Sequence, residues 1–315
     1  MILKKTDLHR DAVKHAAGLE LLQAACSGDA CKTQTLLSAS QVQSYINYTD
    51  VKGRTPLYKT ASQGDTLIVA QLIAAHSNVD LTKTTDGTTP LFIAAQNGHA
   101  SVARMLIEAR CNVDHALKKN GATPLHVAAV EGHADVIKQL IAARCNVDPQ
   151  AKIGHTPLHV AAGYGHAVVT KQLIAARCRV DIQDKDGCTP FFIAAQQGHA
   201  DIVEQLINAR CKIDLASTSR LTEKARGHTR IMTMIQKGLN GHNFFGKDTG
   251  SYEIDTRLSS RPESPHVDSP FILLGRRLSS PSFPFCECLA VYSKPSVSTM
   301  LTHVLFLRVR SSFFG

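Results

Sequence analysis

The sequence predicts an all-α solenoid, a row of helical hairpins of one design stacked on each other. Three recurrences carry that prediction. The phrase IEARCNVD at 107–114 returns as IAARCNVD at 141–148, IAARCRVD at 174–181 and INARCKID at 207–214, at steps of 34, 33 and 33 residues. A second phrase keeps the same register: GRTPLYKTA from Gly53, GTTPLFIAA from Gly87, GATPLHVAA from Gly121, GHTPLHVAA from Gly154 and GCTPFFIAA from Gly187. A third, Gly-His, stands at 98–99, 132–133, 165–166, 198–199 and 227–228. A fixed period of this length marks units that bury their apolar faces only against their own copies.

The elements follow in order. Residues 1–18 lead in. Residues 19–52 read as a degenerate capping unit, with Gly28-Asp29 in the Gly-His place. Five clear units cover 53–219, divided as 53–86, 87–120, 121–153, 154–186 and 187–219. Residues 220–240 read as a closing unit without Thr-Pro, and 241–315 as a tail. The third unit shows the logic. Thr123 caps a helix whose first turn takes Pro124, where no amide donor is needed. Leu125, Val127, Ala128 and Ala129 make a short apolar patch, and Gly132 suits a left-handed stop. Val136, Ile137, Leu140 and Ile141 recur at helical spacing in a second helix, with Asp135 near its positive end. An extended turn then leads to Gly154. About six layers at 8–10 Å each give an array roughly 50–60 Å long.

T-P-L-H-x-A at a period of 33 resembles the ankyrin repeat. The resemblance covers 53–219 well and extends weakly to both flanking units. It implies helix-turn-helix units joined by hairpin turns, with the TPLH histidines, His126 and His159, bonding the neighbouring turn. Units with Tyr58, Phe92 or Phe192 at that position are expected to lose the bond, which makes 121–186 the expected stable centre. In the family the second helix ends in Gly-Ala. Here that pair is Arg-Cys, or His76-Ser77 in the first unit, and the sequence leaves open whether the backbone is strained there or the stop is reshaped.

The cysteine ladder of Cys111, Cys145, Cys178 and Cys211 reads as packing. Layers 8–10 Å apart are too distant for disulfides, which need Cα atoms within about 7 Å. One thiol per layer does not converge on a zinc ion at 2.0–2.3 Å. Of fifteen histidines, seven belong to the repeat phrases. No HExxH, CxxC pair or phosphate-cradling glycine loop occurs, and Cys286-Glu287-Cys288 is a lone CxC. No catalytic residue, cofactor, metal or small-molecule substrate is expected.

The net charge of +9 divides into +1 over 1–52, +2 over 53–219 and +6 over 220–315. A repeat region near neutrality argues against broad nucleic-acid binding. The opening MILKKTDLHRDAVKH has no apolar run of secretory length, and no stretch reaches the ~20 apolar residues of a membrane span. An odd count of nine cysteines suits a reducing, intracellular setting, with the cytoplasm expected and the nucleus as alternative.

Repeat arrays bind through a concave side built from turn tips and first helices. The resemblance places the variable positions just before and after the glycine and before Gly-His. Here the candidates are Arg54, Gln63, Thr88, Gln96, Asn97, Lys119, Val130, Glu131, Lys152, His155, Tyr164, Lys185, Gln196 and Gln197, with Val130, His155 and Tyr164 as anchors. The tail is rich in Ser, Pro and Arg, a composition that resists packing. Ser279 follows Arg-Arg-Leu, and Ser264, Ser269 and Ser280 precede proline, so these four are phosphorylation candidates. The expected function is a non-enzymatic scaffold or adaptor for another protein; the alternative is a regulatory or targeting subunit that positions or inhibits a partner enzyme.

Overall fold

The computed structural model describes residues 2–213, 230, 231 and 233–235, which form helices joined by turns and irregular connections, with no strand among them. Helices α1 (Ile2–Ser27) and α2 (Ala30–Leu37) precede five hairpins: α3 (Pro56–Gln63) with α4 (Thr66–Ala74), α5 (Pro90–Gln96) with α6 (Ala100–Glu108), α7 (Pro124–Glu131) with α8 (Ala134–Ala142), α9 (Pro157–Tyr164) with α10 (Ala167–Ala175), and α11 (Pro190–Gln197) with α12 (Ala200–Asn208). First helices pack in one row, α1 through α3, α5, α7 and α9 to α11, and second helices in another, α2 through α12. The boundary expected at 18/19 falls inside α1, because the first helix stop is Gly28 at φ +74. Gly18 stays helical and lets the Tyr48 ring lie against the backbone; a Cβ there would meet Tyr48 Cγ at 2.5 Å.

Each Thr-Pro pair starts a helix. Thr55 and Thr89 accept from the Tyr58 and Phe92 amides at 3.0 and 3.1 Å, and proline fills the first turn where no donor is missed. Buried Val136, Ile137 and Leu140 fasten α8, each worth about 1.5–3 kcal/mol on burial. The Gly-His pairs join units. Gly64, Gly98, Gly132 and Gly165 stop the first helices in the left-handed region, and the histidine of the next unit lies on each. A Cβ on Gly132 would meet His166 Nδ1 at 2.5 Å. The same histidines bond backward: His99 to Ser62 O, His133 to Gln96 O, His166 to Val130 O and His199 to Gly163 O, at 2.8–3.1 Å.

The second helices settle the question left at Arg-Cys. His76, Arg110, Arg144, Arg177 and Arg210 all adopt φ between 57 and 62°, so the stop is kept and the residue is strained. In α8 the Arg144 amide bonds Ile141 O at 2.9 Å and the Cys145 amide bonds Leu140 O at 3.2 Å. That is the Schellman pattern, which favours an apolar residue at the position cysteine holds. The aspartates three residues on tie layer to layer: Asp80, Asp114, Asp148 and Asp181 accept from the Asn112, Asn146, Arg179 and Lys212 amides.

Candidate functional site: hairpin tips and first helices

The groups capable of chemistry are mostly turned inward. Cys111, Cys145, Cys178 and Cys211 are free and buried, and burial, with the preceding unit's aspartate, pushes each thiol up to about 12. His126 and His159 do what the resemblance implies. Nδ1 of each takes hydrogen bonds from the amide and hydroxyl of Thr123 or Thr156. Nε2–H donates to His155 O at 3.0 Å or Cys188 O at 3.1 Å in the next turn. Burial holds both imidazoles down to about 4, and the nearby His155 ring adds to it, so they are neutral. The first layer corrects the expectation for Tyr58: its hydroxyl donates to Thr88 Oγ1 at 3.3 Å, so tyrosine keeps a bond to the next unit where Phe92 and Phe192 bring only apolar rings. Among the described residues, no three His, Cys, Asp or Glu gather to hold a metal ion, and no helix is long and apolar enough to cross a membrane.

The hairpin tips pair along the array. The Lys152 amide donates to Asn120 O at 2.8 Å and the Lys185 amide to Ile153 O at 3.1 Å. These bonds align Lys119, Lys152 and Lys185 one per tip, all exposed. The tips of 53–86 and 87–120 open differently. Arg54 folds onto Asp50 at 2.6 Å, and Thr88 is buried, donating to Asp86 at 2.7 Å. Along the first helices Gln63 donates to Cys26 O at 2.8 Å and Asn97 to Ser62 O at 2.7 Å. Gln96 and Gln196 are half-buried, and Gln197 is exposed. Glu131 is half-buried, and burial pushes its carboxyl up against the pull of His166.

Of the three anchors, the structure leaves one outward. Tyr164 is 40% exposed and stacks on His166 with centroids 6.2 Å apart. Val130 and His155, also read as anchors, are each 5% exposed and do not project. His155 donates from Nε2 to Asp184 at 3.1 Å and stacks on His159 at 5.5 Å. That bond, after burial is offset, keeps the Asp184 carboxyl below its usual range. Together with Lys119, Lys152, Asn120, Ala122, His126, Ala151, Ile153 and Val160, they line a cavity of about 230 Å³ between the third and fourth units. Sequence reasoning singled out four of these residues as variable and missed the cavity. Ser264, Ser269, Ser279, Ser280 and the Cys286/Cys288 pair lie outside the described residues.

A family model for ankyrin repeats in three copies matches residues 21–115, 60–152 and 137–219. No curated protein matches the chain significantly.

Proposed function

The chain belongs to the ankyrin repeat family, and from that premise we propose that it is a non-catalytic scaffold or adaptor that holds another protein along its hairpin tips and first helices. Ankyrin repeats are generally protein–protein interaction modules. The observation that supports this reading is a division of labour. The thiols and TPLH histidines are spent inside the array as packing and neutral hydrogen bonds. Six of the positions that vary between units, Gln63, Lys119, Lys152, Tyr164, Lys185 and Gln197, stand exposed on one pair of structural features, tips and first helices. Free cysteines throughout the described residues suit a reducing compartment, and we place the protein in the cytoplasm.

Affinity capture with the full chain and with a Tyr164→Ala/Lys185→Glu variant tests the reading. Both positions are exposed, so the variant keeps its melting temperature and loses the captured proteins. Identical capture by both forms would remove this face as the docking surface.

A further inference from the structure

We propose that the cavity between α7 and α9 and their hairpins seats one aromatic side chain of a partner protein whose flanking residues are acidic. This rests on the protein-binding reading above and adds the chemistry of the partner. Size comes first. The cavity measures about 230 Å³, and an apolar cavity of about 150 Å³ holds a benzene ring; one aromatic side chain fits, and a second does not.

The lining sets polarity. Ala122, Val130, Ala151 and Val160 present methyl groups. The His126 ring among them has both nitrogens engaged, Nδ1 with Thr123 and Nε2 with His155 O. A polar group entering there would give up water without a partner in return, whereas a ring gains on burial.

Charge at the mouth sets what flanks the ring. Lys119 and Lys152 border the cavity; both are exposed, and neither forms an ion pair among the described residues. Lys118 and Lys185 stand exposed on the same run of tips. The buried carboxylate of this region, Asp184, is bound to His155. A positive rim around an apolar pit favours carboxylates on either side of the inserted ring and speeds their approach. It disfavours this chain's own 220–315 segment, which carries thirteen Lys and Arg against seven Asp and Glu.

Random peptides displayed on phage and panned on the full chain test the proposal, with labelled winners titrated by fluorescence anisotropy. The winners are expected to carry one Phe, Tyr or Trp with Asp or Glu on both sides. Changing that aromatic to alanine in the peptide should weaken binding at least about tenfold, as for a buried hot-spot residue. Lys119→Glu/Lys152→Glu should do the same through charge reversal, with an unchanged circular-dichroism melt because both side chains are in solvent. Ala122→Leu, which fills the pit, is a second block to compare with the lysine pair. Winners of other chemistry, no enrichment, or acidic-aromatic winners indifferent to the lysine reversal would overturn the proposal. If such winners instead lose affinity in Tyr164→Ala, the protein-binding reading stands and the cavity alone is dismissed.

Discussion

Acid should loosen the centre of the array, and two histidines set how much. His126 and His159 are held near 4 by burial, while an unfolded chain has histidine near 6.5. Between those values the unfolded state binds two protons that the folded state refuses. Their contribution to stability is therefore complete above about pH 6.5 and lost as pH falls toward 4. At pH 5 each costs about 2 kcal/mol relative to pH 7 on these pKa values, so the pair costs about 4 kcal/mol if both layers open together. Urea unfolding followed by circular dichroism at pH 7 and pH 5 reads this directly. At a slope of about 2–3 kcal/mol per molar, the midpoint should fall by roughly 1–2 M.

Of the shifted carboxylates only Glu131, pushed up by burial, opposes this loss as pH falls, and it does so equally in the variant below. Asp50, Asp86 and Asp184 are held below their ordinary range by hydrogen bonds and nearby cations that outweigh burial, so their stabilisation is lost only at lower pH. A His126→Gln/His159→Gln variant has no imidazole to protonate at these positions. It should start from a lower midpoint and lose little between pH 7 and pH 5. A wild-type midpoint that does not move, or a variant that falls as far as the wild type, would refute the reasoning.

Three other outcomes are expected. Gly132→Ala should cost about 2–4 kcal/mol, combining left-handed strain with displacement of the His166 ring, which the new Cβ would meet at 2.5 Å, whereas Gly187→Ala, at φ +75 with nothing within 4 Å of the new Cβ, should cost only the strain; thermal melts of the two variants compare them. Alkylation at pH 8 with mass-spectrometric mapping should modify exposed Cys31 quickly and leave Cys111, Cys145, Cys178 and Cys211 slow, since burial and thiols near 12 suppress the thiolate. Native-state amide exchange should show α7 to α10 better protected than α3 and α4; the Tyr58–Thr88 bond at 3.3 Å narrows that difference, and greater protection of α3 and α4 would overturn it.

The positive-φ arginines show one limit of sequence reasoning. Their place at the end of each second helix is written in the period, but a residue name does not give a backbone angle. Only the paired bonds from the Arg144 and Cys145 amides to Ile141 and Leu140 establish that arginine occupies the left-handed position and that the cysteine beside it is the apolar lid of the same stop. The thiol ladder and the arginine ladder are thus one feature: a helix terminus that needs a small buried group after its reversal and tolerates a strained residue at it. Wherever a single unit specifies its own contacts, as in Thr-Pro starts and helical spacing, the sequence was sufficient.

The docking face was legible as a set of positions and not as a surface, for a physical reason. Variation between units marks side chains the framework does not dictate, and two environments leave a side chain undictated: solvent, and a gap between layers. Lys119, Lys152 and Tyr164 fell in the first, Val130 and His155 in the second. What separates them is the neighbouring unit. His155 follows Gly154 directly, yet Asp184 and His159 draw its ring inward. Val130 lies at the end of α7, where its carbonyl is held by His166 of the next hairpin. The His155–Asp184 and Val130–His166 contacts span 29 and 36 residues, so they follow from how units stack, which a single unit's residues do not state. The same stacking places the lysines at the rim of the gap those two residues wall, and so it turns four scattered variable positions into an apolar pit with a cationic edge.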